Sequence, residues 1–384
     1  MKRSKSIGGG SIGGGVSGRV IGSIGGIGSG IGRVIGSGIG VIGVIGVICV
    51  AAAIMLTACA PESAKGKRME LQGKAQGTYY SIIYYDKEGR DMKRSIDSLL
   101  DDFDMTASLW VAESQLRRVN ENRDSIVGDY FATLLRHSIE MNSFTEGAFD
   151  CTVGKLVNAW GFGFSKREEM TDALIDSLRQ YTGQQPTIDS IAEGRYIVRK
   201  PQAEMTFDFN AIAQGYATDL VSRFLEQHGI DNYLVDIGGE VYAKGSKPDG
   251  SEWKVGIERP AETKDSEPEV ALSIVLKDCS VVTSGSYRKY YEKDGTRYSH
   301  TIDPRTGRPV EHTLLSVSVI DSCAWRADAL ATAFMVMGME RSLEFIAQHP
   351  DDSGTQAVCF IYDDKGTNRV HMTDGFKKLV ASIR

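Results

Sequence analysis

Beyond position 70, short apolar segments alternate with longer segments in which apolar residues recur every three or four positions. The short segments are typical of strands, and they predict strands at residues 79–85, 205–209, 233–237, 240–243, 253–257, 271–276, 315–320, 357–362 and 369–372, with a hairpin over 287–300. The longer segments are typical of helices, which we expect over 91–104, 129–143, 171–182, 212–228 and 327–337. Because strands, hairpins and helices are interleaved, the pattern predicts an α+β fold with helices packed on mixed sheets.

The first 58 residues have a different pattern, with Ile, Gly, Ser and Val repeated over 7–48 in no stable helical period. After Arg33 no charged residue occurs until Glu62, and the apolar run over 41–58 ends in small residues directly before Cys59. A basic start, an apolar run and small residues at the cleavage point are typical of a secretory signal. The cysteine at that point makes the segment resemble a bacterial lipoprotein signal; a simple transmembrane anchor is the alternative.

These features predict three parts: a signal over 1–58, the lipidated Cys59 with a tether over 59–70, and one domain over 71–384. We therefore expect a protein of the bacterial cell envelope, anchored to a membrane by lipid and facing the periplasm or the exterior. The cysteines of the domain are scattered without a Cys-x-x-Cys pair, so they predict buried thiols and no zinc site. A disulfide in the oxidising envelope is the alternative for this set, which consists of Cys151, Cys279, Cys323 and Cys359.

The charge of the chain also divides at Cys59. Five of the 44 basic residues and none of the 50 acidic residues precede it, so the part from Cys59 onward has 39 Lys and Arg against 50 Asp and Glu, a net charge of −11. Proteins that bind nucleic acid need clustered Lys and Arg for the phosphates. We therefore expect no nucleic-acid partner, and we expect any bound polyanion to need a metal ion or a local pocket.

A carboxylate and a hydroxyl stand one helical turn apart at Asp328 and Thr332. Residues four apart share a helix face, and oxygen atoms are the ligands that a hard cation such as Mg²⁺ takes. The alternative is structural: Asp328 caps the start of the helix, and Thr332 bonds back to a backbone carbonyl.

Two further segments combine small residues with the start or end of a predicted strand. The run from Asp208 to Asp219 predicts a strand that feeds a helix through the small residues Ala213 and Gly215, and free N–H groups at a helix start hold anions. The run Asp236-Ile237-Gly238-Gly239-Glu240 permits close backbone approach. An ordinary strand–helix turn and a plain hairpin turn are the alternatives.

Two loop-like segments carry groups that suit proton transfer or phosphate binding. One contains Ser284 and Tyr287 and continues through His300 to the Asp303-Pro304-Arg305-Thr306-Gly307 run, in which histidine is the side chain able to exchange protons near neutral pH. The other runs from Thr145 to Gly154, with Gly147 and Gly154 on either side of a bend. A structural histidine, a turn by composition and a loop before the helix-like segment at Leu156 are the alternatives.

Taken in order, these segments resemble the FAD:protein FMN transferase family (ApbE-type flavin transferases). The resemblance runs from about Gly77 to Gly338 and rests on Gly77-Thr78-Tyr79, Ser108-Leu109-Trp110, Phe149-Asp150-x-Thr152-Val153-Gly154, Gly215-Tyr216, Gly238-Gly239, Ser284-Gly285-x-Tyr287, His300-x-x-Asp303-Pro304-x-Thr306-Gly307 and Asp328-x-x-x-Thr332. A lipoprotein signal also suits the family, many of whose members are envelope lipoproteins.

The resemblance implies transfer of FMN from FAD to a Thr or Ser hydroxyl of an acceptor flavoprotein, with release of AMP. It implies Mg²⁺ held by Asp328, Thr332 and the backbone carbonyl of Ala213, in contact with the FAD pyrophosphate. His300 and Asp328 are the implied catalytic residues, and His300 is our candidate to deprotonate or orient the acceptor hydroxyl. The implied FAD-binding residues are Thr78, Tyr79, Ser108, Trp110, Asp150, Thr152, Gln214, Gly215, Asp236, Gly238, Ser284, Tyr287, His300 and Thr306.

The aromatic residues Tyr79, Trp110 and Tyr287 suit stacking on adenine or flavin, with a place in the core as the alternative. Many members of the family carry Lys at the position of Gln214, so the contact made there must be neutral in this chain. The acceptors of the family are often subunits of membrane redox complexes. Hydrolysis of FAD to FMN and AMP, and simple FAD binding by a lipoprotein, are the alternative functions.

Overall fold

The computed structural model describes residues 66–163, 167–260, 269–286, 290–293 and 296–383. The predicted signal, Cys59 and Tyr287 lie outside these residues, as does the turn of the predicted hairpin at residues 294–295. The described part has eighteen strands: β1 (Lys67–Ala75), β2 (Thr78–Asp86), β3 (Ile126–Val127), β4 (Thr187–Ala192), β5 (Arg195–Arg199), β6 (Tyr233–Ile237), β7 (Glu240–Lys244), β8 (Trp253–Arg259), β9 (Glu269–Leu276), β10 (Cys279–Gly285), β11 (Tyr290–Lys293), β12 (Thr296–Ser299), β13 (Ile302–Asp303), β14 (Arg308–Pro309), β15 (Leu314–Asp321), β16 (Val358–Asp364), β17 (Thr367–Met372) and β18 (Val380–Ile383).

Ten helices are interleaved with these strands in the described residues. They are α1 (Lys93–Ala107), α2 (Gln115–Asn120), α3 (Asp129–Phe144), α4 (Gly154–Ala159), α5 (Asp172–Arg179), α6 (Ala213–Gln227), α7 (Ala324–Met337), α8 (Met339–Gln348), α9 (Ser353–Gln356) and α10 (Asp374–Lys377).

The central layer is an eight-stranded antiparallel sheet in the order β1-β2-β6-β7-β10-β15-β16-β17. Successive side chains of a strand point to opposite faces, and both faces of this sheet are buried. In β2, Tyr80 and Ile82 belong to the apolar cluster shared with the helices, whereas Ile83 belongs to a second cluster shared with β8 and β9. The domain is therefore layered, with helices on one face and the three-stranded sheet β18-β9-β8 on the other.

Helices α6 and α7 are the parts of the helical layer that matter most for the site. Helix α7 is buried on almost every side, with Ala327, Leu330, Ala331 and Phe334 fully buried, because it lies between the sheet and the other helices. Small Ala residues let a helix approach its neighbours closely. Helix α6 packs along α7 and carries the predicted ligand residues Ala213, Gln214 and Gly215 at its start.

The predicted α+β fold is confirmed, but two local predictions are wrong. Residues 205–209 do not form a strand, because their backbone groups bond elsewhere: the Asn120 side chain accepts from the Phe207 N–H at 2.7 Å and donates to the Phe207 carbonyl at 2.8 Å. The predicted tether over 59–70 overlaps β1, which begins at Lys67 and pairs with β2 along its whole length. The ordered domain therefore starts before position 71.

Candidate active site

Asp328, the predicted metal ligand that carries a charge, is buried, with 5% of its surface exposed. Its Oδ2 atom accepts a hydrogen bond from the Gly215 N–H at 3.0 Å. Burial raises the pKa of Asp328 from 3.8 to about 7, because few polar groups replace the lost water. Asp328 is the fifth residue of α7, so it does not cap its own helix; it serves the start of α6 and keeps its second oxygen available.

Thr332 lies one turn beyond Asp328, beside the end of β10. Its Oγ1 atom is 3.3 Å from the Oγ atom of Ser284, so the structure brings two predicted site residues together across the helix–sheet boundary. A carboxylate oxygen and two hydroxyl oxygens on neighbouring elements form an oxygen-rich set. This donor set fits a hard cation that completes its shell with backbone carbonyls, water and phosphate oxygens.

The start of α6 and the β6–β7 turn meet at Gln214 and Gly238. Gly238 has a φ of +68°, and a Cβ atom there would lie 2.4 Å from Gln214 Nε2 and 2.7 Å from Thr78 Cγ2. Gln214 Nε2 is buried and has no hydrogen-bond partner among the residues that the structure describes. A buried donor of this kind is costly unless a ligand accepts from it, so this amide is itself an indication of a ligand.

Tyr79 and Trp110 extend the same region to the surface. The Gly238 N–H donates to the Tyr79 carbonyl at 2.9 Å, which places Tyr79 beside the turn. Ser108 is used by its own loop, because its Oγ atom accepts from the N–H groups of Trp110 and Val111 at 3.0 and 3.2 Å. Both aromatic residues are exposed, Tyr79 by 40% and Trp110 by 46%, so neither is a core residue.

Asp236 lies at the end of β6 and shapes the same turn. Its Oδ1 atom accepts from the Gly239 N–H at 2.9 Å, and burial raises its pKa from 3.8 to about 7. Asp150 and Thr152 form a second local unit: Asp150 Oδ1 accepts from the Thr152 N–H and hydroxyl at 2.7 and 2.6 Å. Burial also raises the pKa of Asp150. In both places the carboxylate holds backbone, which fixes the loops that border the site.

The segment from His300 to Gly307 is built on helices α4 and α5. The Trp160 Nε1–H donates to the Gly307 carbonyl at 2.9 Å, and the His300 ring lies 6.3 Å from the ring of Phe162. Within the segment, Arg305 is paired with Asp303 at 2.8 Å, and Thr306 Oγ1 accepts from the Arg308 N–H at 3.3 Å. Thr306 therefore lies in a turn, as the composition of the run predicts, and its role in FAD binding stays a prediction.

Asp219 is a residue to which the sequence reasoning gave no role. It lies on α6 one turn after Gly215, and its two oxygens accept from the N–H groups of Ala324 and Trp325, each at 2.9 Å. Burial raises its pKa from 3.8 to about 6, and the two backbone donors lower it in part. The four-residue spacing from Gly215 was the available signal, because it puts both residues on one helix face.

Some classes of site are absent from the described residues. Within them, no three His, Cys, Asp or Glu side chains form a group that could hold a metal ion, so a cation here would depend on hydroxyl, carbonyl and substrate oxygens. The four cysteines of the domain are free thiols. No helix in the described ranges is long and apolar enough to cross a membrane.

The chain is similar to known flavin transferases over nearly all of its domain. The model of the ApbE family matches residues 76–358. An FAD:protein FMN transferase of Vibrio cholerae is 37% identical over 305 residues, covering 77% of this chain and 88% of that protein. One of Escherichia coli K12 is 35% identical over 347 residues, covering 87% of this chain and 96% of that protein.

Solved structures give the same picture. A flavin transferase ApbE from Vibrio cholerae superposes with a TM-score of 0.68 at 34% identity, over 82% of this chain and 99% of that one. An ApbE protein from Thermotoga maritima gives a TM-score of 0.70 at 26% identity, over 82% of this chain and 100% of that one.

Proposed function

We propose that this chain, which belongs to the ApbE family, is a transferase that moves FMN from FAD to an acceptor protein. Relatives at 35 to 37% identity that carry this activity in their names support the assignment. The observation in the chain itself that carries it is the junction of α6 and α7. There a buried carboxylate with an available oxygen holds the Gly215 N–H, and the preceding residue, Gln214, has an amide donor with no partner among the described residues. This combination suits a metal-bound, phosphate-bearing ligand.

The finer chemistry that we propose is an in-line displacement at phosphorus. A Ser or Thr hydroxyl oxygen of the acceptor forms a bond to the FMN-side phosphorus of FAD, and the bond from that phosphorus to the bridging oxygen breaks. AMP leaves with the bridging oxygen, and FMN stays on the acceptor as a phosphoester. The hydroxyl proton goes to His300, because histidine is the side-chain type suited to accepting a proton near neutral pH.

Asp328, Thr332 and the carbonyl of Ala213 are the groups that we assign to Mg²⁺, with Ser284 beside Thr332. When bound, Mg²⁺ offsets the charge that develops on the phosphoryl oxygens. The burial of Asp328 supports this assignment, since a desolvated carboxylate gains most from a neighbouring cation. A metal ion also accounts for how a domain with a net charge of −11 holds a dinucleotide.

The remaining groups orient FAD. The exposed rings of Tyr79 and Trp110 offer flat surfaces for stacking against adenine or flavin. The amide of Gln214 donates to an oxygen of FAD, which gives its buried Nε2 atom the partner that it lacks among the described residues. Gly238 leaves the space that this contact needs, because any side chain there would meet Gln214.

We also propose that the protein is a lipoprotein of the bacterial cell envelope, anchored through Cys59, and that its acceptor is a subunit of a membrane redox complex. The basic start, the apolar run and the small residues before Cys59 support the anchor. Mass spectrometry of the N-terminal peptide after expression in a bacterial host tests it. A diacylglycerol-modified Cys59 is expected, and an uncleaved N-terminus would contradict the proposal.

The transferase assignment is tested by mixing the purified protein with FAD, Mg²⁺ and a small acceptor domain that carries a flavinylation motif. The acceptor is expected to gain the mass of one FMN phosphoester, with one AMP released per acceptor, and EDTA should abolish the gain. AMP release in many turnovers without acceptor would indicate an FAD hydrolase. FAD binding that is indifferent to Mg²⁺, without AMP, would indicate a binding protein.

A further inference from the structure

Helices α6 and α7 each use a carboxylate to hold the start of the other. Asp328 on α7 accepts from the Gly215 N–H on α6 at 3.0 Å, and Asp219 on α6 accepts from the Ala324 and Trp325 N–H groups on α7 at 2.9 Å each. Gly215 and Asp219 are four residues apart on α6, and Ala324 and Asp328 are four residues apart on α7. The two contacts therefore lie one helical turn apart on both helices. The two helices are therefore joined at two successive turns, with the carboxylates pointing in opposite directions.

The two helices approach each other closely at Gly215. A Cβ atom on Gly215 would lie 2.3 Å from the Ala324 carbonyl oxygen and 2.8 Å from Asp328 Cβ. The backbones of α6 and α7 therefore touch at this point. Any sliding of α7 along α6 would move Asp328 relative to the start of α6, where Ala213 and Gln214 lie.

Asp219 resists such sliding, because it ties α6 to the first N–H groups of α7. The first N–H groups of a helix have no partner within it, and Cys323, which flanks the start of α7, makes no side-chain cap. Asp219 supplies that cap from another helix, using both oxygens, while only 8% of its surface is exposed. A negative charge at a helix start is favourable in addition to the hydrogen bonds.

We propose that Asp219 is a positioning residue for the reaction: by capping α7 from α6, it fixes the distance between Asp328 and the start of α6. This rests on the proposed function, since Asp328 is the group that it positions for the cation. Asp219 does not itself contact the cation or FAD. Residues that orient metal ligands from outside typically change metal affinity or activity by about 10- to 100-fold when they are replaced.

The test combines Asp219→Asn with two other substitutions in the full-length protein. An amide at 219 keeps one acceptor but presents N–H atoms to one of the two backbone donors, so the double cap is lost. Asp86→Asn is the matched control, because Asp86 is also buried, with 2% exposed, and also accepts a backbone N–H, yet it lies at the far end of β2 from Thr78. Cys323→Ser places a local cap on α7 without restoring the tie to α6.

The affinity for Mn²⁺, as a stand-in for Mg²⁺, is measured by electron paramagnetic resonance with FAD present and acceptor absent, and Tm is measured alongside. The Mn²⁺ concentration that gives half-saturation is expected to rise at least tenfold in Asp219→Asn and to stay unchanged in Asp86→Asn, although both variants lose stability. In Asp219→Asn with Cys323→Ser, Tm should recover while the Mn²⁺ affinity does not. If Asp219→Asn alone fails to fold, this double variant is compared with Cys323→Ser alone.

Three outcomes would overturn the inference. Wild-type Mn²⁺ affinity in Asp219→Asn would show that the cap does not position Asp328. Recovery of both Tm and affinity by Cys323→Ser would reduce Asp219 to a stabilising cap. A wild-type protein that binds no Mn²⁺ would overturn both this inference and the proposed metal site, whereas the first two outcomes leave the metal site standing.

Discussion

The neighbourhood of Asp328 is buried between α6, α7 and the central sheet, whereas the segment from His300 to Gly307 is a turn folded on α4 and α5. In the first region, polar atoms keep bonding capacity that no described residue fills, as at Gln214 Nε2. In the second, Thr306 and Asp303 bond to groups of the same turn, although Arg305 Nη1 is also buried without a partner among the described residues. The motifs that the chain shares with its family therefore include groups with unfilled bonding capacity and groups that bond within their own loop.

The largest effect is expected from Asp328→Asn, which removes the charge from the first region. FMN transfer should fall by about 10³-fold or more, because stabilisation of phosphoryl charge is worth several kcal/mol. The amide oxygen still accepts from the Gly215 N–H, and a desolvated charge is gone, so Tm in EDTA should be unchanged or higher. AMP release and calorimetry measure the two quantities. Full activity with unaltered Mg²⁺ dependence would contradict the metal assignment.

His300→Ala tests whether the second region contributes chemistry. General base catalysis typically contributes 10²- to 10⁴-fold, so kcat should fall by about 10²-fold while the KM for FAD changes little. Added imidazole should restore part of the rate, which a purely structural histidine would not allow. The initial rates of acceptor labelling, with and without imidazole, measure this. Equal losses in FAD affinity and rate, without rescue, would leave His300 as a part of the fold.

Asp236, at the β6–β7 turn beside the first region, should make the stability of the protein depend on pH. Its pKa is about 7 in the folded protein and 3.8 when unperturbed, so the folded state holds this proton more tightly between those values. The free energy of unfolding should therefore fall as pH rises from about 4 to about 7, with Asp236 contributing up to about 1.4 kcal/mol per pH unit. Urea unfolding in EDTA should show a shallower fall for Asp236→Asn. An unchanged slope would mean that Asp236 titrates normally.

The smallest effect is expected from Thr306→Ala. The side chain is exposed, and its hydroxyl makes long hydrogen bonds, 3.3 and 3.5 Å, within its own turn. Stability should change by no more than about 0.5 kcal/mol, and the transfer rate by no more than about threefold. Thermal unfolding and the labelling assay decide this. A tenfold loss of rate at unchanged Tm would move Thr306 into the group of residues that contact FAD.

The elements with a strong apolar period were predictable from the sequence. Helix α3, helix α6 and the hairpin of β6 and β7 lie close to where the pattern places them. The segment 205–209 was not predictable in the same way, because its apolar residues are buried as in a strand while its backbone bonds to the Asn120 side chain. Periodicity reports burial, and it does not report which group satisfies the backbone.

The candidate site was predictable as a list of residues more than as an arrangement. The four-residue spacing places Asp328 and Thr332 on one face of a helix, and α7 bears this out. The partner of Asp328 could not be found that way, because Gly215 precedes Asp328 by 113 residues and lies on a different helix. Asp219 was missed for the same reason, since its hydrogen bonds span more than a hundred residues.

The early start of β1 has a consequence for where this enzyme can work. With the lipid that we propose at Cys59, eight peptide steps join the membrane to Lys67, a span of at most about 28 Å. A domain of this size has a radius of gyration of about 20 Å, so its width exceeds the greatest length of the segment between Cys59 and Lys67. The enzyme would search a surface rather than a volume. Its substrates would then be selected by the height of the hydroxyl above the bilayer as well as by sequence.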